Sequence, residues 1–284
     1  MVNSGPRIGA HISIAGGIEL TPQRAHEEGC EVFQCFTRSP QGGKAPRIDE
    51  ATAAALRENM AKYGIRAFYI HAPYYINFAS LNNRVRHGSI SVVREELERG
   101  SMLGAMYVVT HLGSHNDQTL EQGLEKVIAG LQKVLEGYTG TTQLLIEISA
   151  GSGNILGDTF EEIGHVVNKV LSLEAFAGVC FDTCHAFASG YDIRSKKDSS
   201  ETLKKFDTAI GLHHLKLAHV NDSKFEIQNK KDRHEHIGNG YIGVRGFQSL
   251  LSLAPFRTID WILETEPTGR KEDIQQLHSV RNNI

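Results

Sequence analysis

Short runs of nearly continuous apolar residues recur along the chain, and each gives way to a longer stretch whose apolar positions return every three or four residues. The runs lie at residues 7–12, 31–36, 66–70, 105–110, 143–146, 179–181, 214–218 and 260–263. Runs of this kind suit parallel strands buried on both faces. The stretches between them predict helices, the first opening from the glycine turn AGGIEL and ending near Gly29. The others fall near 49–63, 83–103, 120–136, 160–171, 199–210 and 247–253, with a last one from about Lys271. Eight strands alternate with eight helical stretches at an average spacing of about 35 residues, the size of a βα unit. No composition shift or long linker divides the chain. A single (β/α)8 TIM barrel over residues 1–284 is therefore expected, in preference to a doubly wound open sheet.

The strand ends carry the chemistry. Six consecutive strands, the third to the eighth, end at His71, His111, Glu147, Asp182, His219 and Glu264. In a barrel these ends form one ring at the C-terminal mouth, where barrel active sites lie. An open sheet would not bring six of them to one point. The loops add His185, three residues beyond Asp182, and the pair Asp232 and His234 in DRH. Five imidazoles and four carboxylates form an N/O ligand set suited to Zn²⁺ or Mn²⁺. Nine ligands exceed the needs of one tetrahedral ion, so two or three ions are expected. Cations would also neutralise carboxylates that otherwise repel one another in the mouth. His11, near the first strand end, reads as support or packing, and His115, His213, His214 and His236 as surface or capping residues.

Bulk properties narrow the setting. A 284-residue chain that is 40% hydrophobic and 22% charged has ample material for a core. Its net charge of −3 predicts neither a nucleic-acid nor a membrane partner by itself. The Lys pairs at 196–197, 204–205 and 230–231 read as solvated surface. Cys30, Cys35, Cys180 and Cys184 fall in two distant pairs and read as reduced structural thiols. The N-terminal stretch has no apolar signal-like segment and no run approaches a membrane span, so a cytoplasmic protein is expected.

The segments FDTCHAFASGYDIR, HVNDSK, KDRHEHIGNGYIG and ILETEP, with GAHISIAGGI, HAPYYINFAS, HLGSH and IEISAGSGNILG, resemble the endonuclease IV family of apurinic/apyrimidinic (AP) endonucleases. The matches run from about Arg7 to Pro267. The resemblance implies a barrel with three zinc ions, Mn²⁺ being the alternative at one or more positions. It assigns His71, His111 and Glu147 to one ion, and Glu147, Asp182, His219 and Glu264 to a second. His185, Asp232 and His234 take the third. It implies hydrolysis of the phosphodiester 5′ to an abasic site in duplex DNA, leaving a 3′-hydroxyl and a 5′-deoxyribose phosphate, and cleaning of blocked 3′ ends. Glu264 would orient or deprotonate the attacking water, and Glu147 would bridge two ions.

The resemblance also implies a loop wedge at the lesion. Tyr74 and Tyr75 match that wedge, Tyr75 standing where Leu is common. Gln41 stands where the family usually inserts an Arg, with Arg38 or Lys44 as substitutes. A monomer acting on damaged duplex DNA, without a membrane, is the expected working form. Two other readings compete: a divalent-metal sugar isomerase or epimerase on a related barrel, and a metal-dependent DNA lesion binder without turnover.

Overall fold

The computed structural model describes residues 5–283. Eight parallel strands close into a barrel: β1 (Ile8–His11), β2 (Val32–Cys35), β3 (Phe68–His71), β4 (Tyr107–Thr110), β5 (Gln143–Glu147), β6 (Phe176–Asp182), β7 (Leu215–His219) and β10 (Asp260–Leu263). Neighbours pair in chain order and β10 closes on β1 through Ile8 opposite Trp261 and Ala10 opposite Leu263. Between them run α1 (Thr21–Glu28), α2 (Glu50–Tyr63), α3 (Asn83–Leu103), α4 (Leu120–Leu135), α5 (Phe160–Val170), α6 (Thr183–Ala188), α7 (Lys196–Ala209), α8 (Gly243–Leu251) and α9 (Ala254–Arg257); α10 (Arg270–Asn282) follows β10. No helix of the described residues is long and apolar enough to cross a membrane.

The helices begin and end where side chains satisfy the free backbone groups. Asp49 caps α2, Thr119 and Gln122 form a capping box on α4, and Thr159 and Ser195 cap α5 and α7. The Ser195 cap starts α7 at Lys196, three residues before the start expected from periodicity. In α4, Leu124, Val127, Ile128, Leu131, Val134 and Leu135 form the i, i+3, i+4 stripe that packs inward.

Strand residues divide by the period of two. One set, including Ile8, Phe33, Phe68, Val108, Ile146, Phe181 and Leu263, joins the layer between barrel and helices. The other set, Val32, Ala67, Tyr69, Val109, Leu145, Cys180, Leu217 and Ile262, forms a separate apolar cluster inside the barrel. Two residues beyond the inner apolar positions Tyr69, Val109, Leu145, Cys180, Leu217 and Ile262 stand His71, His111, Glu147, Asp182, His219 and Glu264. The same alternation that builds the core therefore aims six polar side chains into the mouth. Closure is tight at Gly9, where a Cβ would lie 1.9 Å from the Val32 carbonyl oxygen. Gly178 adopts φ 145° beside the irregular register of β6, and a Cβ there would lie 2.2 Å from the His214 carbonyl oxygen.

The long polar segment after β7 is more ordered than a plain loop. A two-residue antiparallel ribbon pairs β8 (Asp222–Ser223) with β9 (His234–Glu235). The Asp222 carboxylate anchors it, accepting from the backbone N–H groups of Ser223, Ile242, Gly238 and Gly243 at 2.8, 2.9, 2.9 and 3.1 Å. That anchor holds the turn bearing Asp232 and His234 over the barrel mouth.

Candidate metal centre

Three groups of ligand atoms assemble at the mouth, each with its members within 4.8 Å of one another: His71, His111 and Glu147; Glu147, Asp182, His219 and Glu264; and His185, Asp232 and His234. Glu147 belongs to two of them, so its two oxygens face different partners. Oε2 lies 3.1 Å from His71 Nε2 and 3.5 Å from His111 Nε2, while Oε1 lies 2.8 Å from His219 Nδ1. Asp182 and His185, only three residues apart, divide between two groups. Asp182 ends β6 and caps α6 by accepting from His185 N at 2.7 Å. His185 then turns its Nε2 toward Asp232 Oδ1 at 3.2 Å, and His234 Nε2 approaches the same oxygen at 3.2 Å.

Backbone carbonyls fix which ring nitrogen of His71 and of His185 is free to ligate. His71 Nδ1–H donates to the Ala72 carbonyl at 2.6 Å, leaving Nε2 for the cluster. His185 Nδ1–H donates to the Ile148 carbonyl at 2.9 Å. Among the described residues, His185 Nε2 and His234 Nε2 are buried with no hydrogen-bond partner. Buried imidazole nitrogens that converge on one carboxylate oxygen without bonding geometry fit a cation between them. The donor set is entirely imidazole and carboxylate, the chemistry of a zinc or manganese site.

Charge tells the same story. Burial works to raise the Glu147 carboxyl, but the imidazoles of His219 and His111 hold it well below the usual carboxylate range. Burial, helped by the Glu147 carboxylate, carries Asp182 upward against the pull of His185 and His234. Burial opposes protonation of His185, yet Asp182 and Asp232 raise it well above its ordinary value. His111, 19% exposed at its side chain, is pushed down to about 4 because desolvation outweighs the pull of Glu147. Without cations the cluster therefore holds its carboxylates together with protons on several imidazoles, positions that divalent ions can take over.

Two polar residues absent from the sequence-derived set support the cluster. Asn221 Nδ2 donates to Asp182 Oδ2 at 2.8 Å, and its Oδ1 accepts from Glu264 N at 2.8 Å, tying the ends of β6 and β10. Gln34, fully buried on β2, touches His11, His219 and Glu264. Both were legible only as polar residues at strand ends, a weaker mark than His, Asp or Glu. His11 is half-buried, 3.9 Å from Glu264, and lies outside the three ligand groups. His115 Nδ1–H donates to the Gln118 carbonyl ahead of α4, the His213 and His214 rings meet at a tilt of 49°, and His236 pairs with Asp273 at 2.7 Å. The four cysteines are free and buried. Cys184 comes within ligand reach of Asp182 and His234, but burial pushes its thiol up to about 12 and it donates to the Arg233 carbonyl.

A cleft of about 340 Å³ opens above the cluster, with Tyr74, Lys224, Arg233 and Glu266 on its walls. Tyr74 is 65% exposed and Tyr75 is 39% exposed, so neither is packed under its loop. Gln41 is exposed on the β2–α2 loop, beside Gly42, whose Cβ would lie 3.8 Å from the Tyr75 ring. Lys44 is exposed on the same loop. Arg38 departs from its expected place at the DNA surface. It is only 5% exposed and pairs with Glu95 at 2.8 Å and with the fully buried Glu96, both on α3. Its guanidinium anchors the base of the loop and is not free to enter a base stack.

Comparison with known proteins agrees with this geometry. The family model of the xylose isomerase-like TIM barrel matches residues 22–280. The chain is 36% identical over 276 residues to the probable endonuclease 4 of Halothermothrix orenii, covering 97% of this chain and 99% of that one. It is 39% identical over 267 residues to the probable endonuclease 4 of Aquifex aeolicus, covering 94% of each. The crystal structure of endonuclease IV from Thermus thermophilus superposes with a TM-score of 0.87 at 30% identity, over 98% of this chain and 100% of that one. A D-tagatose 3-epimerase-like protein shares the fold alone, at a TM-score of 0.71 and 19% identity over 98% of each chain. A closed barrel, the mouth residues and these full-length likenesses converge: the chain belongs to the endonuclease IV family of AP endonucleases, among the xylose isomerase-like TIM barrels.

Proposed function

We propose that this protein is a zinc-dependent AP endonuclease that hydrolyses the phosphodiester 5′ to an abasic site in duplex DNA, leaving a 3′-hydroxyl and a 5′-deoxyribose phosphate. Blocked 3′ ends are a second substrate of the same site. The observation that carries the reading is the gathering of three ligand groups, two of them sharing Glu147, beneath one cleft. His71, His111 and Glu147 would hold one ion; Glu147, Asp182, His219 and Glu264 a second; His185, Asp232 and His234 the third. Bound divalent ions supply Lewis acidity to phosphoryl oxygens and lower the pKa of water at neutral pH. Zn²⁺ is the expected ion, with Mn²⁺ as the alternative at one or more positions.

The chain's own groups do the rest. Glu264 lines the cleft together with Asp232, is 14% exposed at its side chain, and orients or deprotonates the attacking water. Glu147, fully buried, keeps two ligand groups at fixed separation. Lys224 and Arg233 stand where phosphate oxygens would enter and position the backbone without reading sequence. Tyr74, Tyr75 and Gln41 form the exposed rim that enters the duplex at the lesion, where a missing base lowers the cost of unstacking. The protein acts as a cytoplasmic monomer with all 284 residues as one domain. A sugar epimerase would have no need of the third group, His185, Asp232 and His234. Incision of a duplex bearing a tetrahydrofuran abasic analogue tests the reading: a nick immediately 5′ to the lesion is expected, and protein with verified bound zinc that makes none refutes it.

A further inference from the structure

One residue before its end, the second strand carries a polar residue on the same inward face as the ligands, although its type kept it out of the ligand set. Val32 and Gln34 continue the alternation of the inner cluster, and Gln34 stands in register with His11 on β1 and Tyr69 on β3. The side chain is fully buried, and each of its amide atoms is used. Oε1 lies 2.8 Å from His219 Nε2, and Nε2 lies 2.7 Å from Glu264 Oε1 and 3.1 Å from His11 Nδ1. The carboxylate settles which way the amide faces. Turned over, it would set its carbonyl oxygen against a Glu264 oxygen, two acceptors in contact with no proton between them.

With the amide so fixed, Oε1 can only accept, and His219 must carry its proton on Nε2. Its Nδ1 is then left facing Glu147 Oε1 at 2.8 Å and Glu264 Oε2 at 3.3 Å. We infer that Gln34 is a positioning residue: one buried amide selects the ligating nitrogen of His219 and holds the Glu264 carboxylate for the ion shared by Glu147, Asp182, His219 and Glu264. It plays for His219 the part that backbone carbonyls play for His71 and His185. Unlike a carbonyl, the amide has a second end, so it couples the ligand His219 to the carboxylate assigned to the water. Partners of this kind typically alter metal affinity or activity about 10- to 100-fold when removed.

The inference rests on the zinc-nuclease reading, and the test separates the two. Zinc affinity is measured by titration against a chelator for the full-length wild-type protein, Gln34→Leu and Gln34→Glu, together with ¹⁵N-histidine NMR of the zinc-loaded proteins. In the wild type, His219 should show its proton on Nε2. Gln34→Leu should weaken one bound ion about 10- to 100-fold and leave the others unchanged. Gln34→Glu keeps an acceptor for His219 and loses the donor to Glu264, so it should retain that ion within a few-fold of wild type while kcat falls and KM changes little. A folded Gln34→Leu protein with wild-type zinc competition overturns the inference. So does equal loss of the ion in both variants, or wild-type kcat in Gln34→Glu should the leucine variant not fold. Wild-type protein that binds no zinc overturns the nuclease reading itself.

Discussion

Asp222 offers the sharpest link between stability and the metal centre. It touches none of the proposed ions, yet its carboxylate accepts four backbone N–H groups that shape the segment carrying Asp232 and His234. Asp222→Ala removes all four acceptors. Ser223 and Ile242 are buried, whereas Gly243 is half-buried and Gly238 exposed. A buried donor left without a partner costs about 1–3 kcal/mol, so the two buried ones imply about 2–6 kcal/mol, and water meets the others. Burial pushes the Asp222 carboxyl up, so deleting it also relieves some desolvation and places the expected loss in the lower part of that range. Urea unfolding followed through Trp261, the chain's one tryptophan and fully buried, measures it. The β8–β9 ribbon should loosen at the same time, with faster cleavage near Lys230 and Lys231 and selective weakening of the ion held by His185, Asp232 and His234. A loss below about 0.5 kcal/mol with wild-type proteolysis would show that Asp222 is no anchor, because surface substitutions reach that value without any anchoring role.

Other outcomes follow from the same geometry. Glu264→Gln should lower kcat for abasic-site incision by about 10²–10⁴-fold, the usual worth of a positioned acid–base group, and a variant at wild-type rate would remove Glu264 from that role. Arg38→Ala should cost about 3–5 kcal/mol by leaving the buried Glu96 without its cation and with only the Thr37 hydroxyl as partner, while abasic-duplex affinity measured on folded protein stays near wild type; the reverse pattern would return Arg38 to the DNA surface. Tyr75→Ala should weaken abasic-duplex binding with little change in zinc content, read by fluorescence anisotropy and metal analysis side by side. Rising pH should act in opposite senses on the stability of stripped protein and on zinc affinity. In stripped protein, burial opposes the proton on His185 and His219, but Asp182 and Asp232 raise the first, and Cys180, Glu264 and Glu147 the second, well above 6.5. Their contribution to stability is then full below 6.5 and fades as pH rises through the raised values. Zinc affinity should instead grow over that interval, since the ligating nitrogens must lose protons first. Thermal melts and chelator competition across pH 6 to 9 check both slopes.

Much of this site could be read before any coordinates. Strand ends reveal themselves when an apolar run meets His, Asp or Glu, and the barrel makes neighbours of all such ends. His71, His111, Glu147, Asp182, His219 and Glu264 were therefore identifiable together, although nothing in the sequence gives the distances that set Glu147 between two groups. Gln34 and Asn221 escaped for a chemical reason. An amide ligates poorly and is common on surfaces, so its residue type carries little signal, and only the register shows that it faces inward. Asp222 was hidden in a polar stretch where a loop anchor and a solvated carboxylate look alike. Arg38 was misplaced because its partners, Glu95 and Glu96, lie on a helix more than fifty residues away in sequence. A basic residue in a Gly/Pro-rich loop suggests a ligand-facing role until the opposing charge is located.

Nine side chains are proposed to hold ions that cut DNA beside a missing base. The most direct measurement combines metal analysis of the purified protein with incision of a labelled duplex carrying one tetrahydrofuran site. About three tightly bound ions per chain are expected, with a nick immediately 5′ to the lesion that leaves an extendable 3′-hydroxyl, and loss of the nick on chelation with return on added Zn²⁺. Fully metal-loaded protein that leaves the duplex intact, or equal incision in the presence of chelator after the ions are gone, would contradict the proposal.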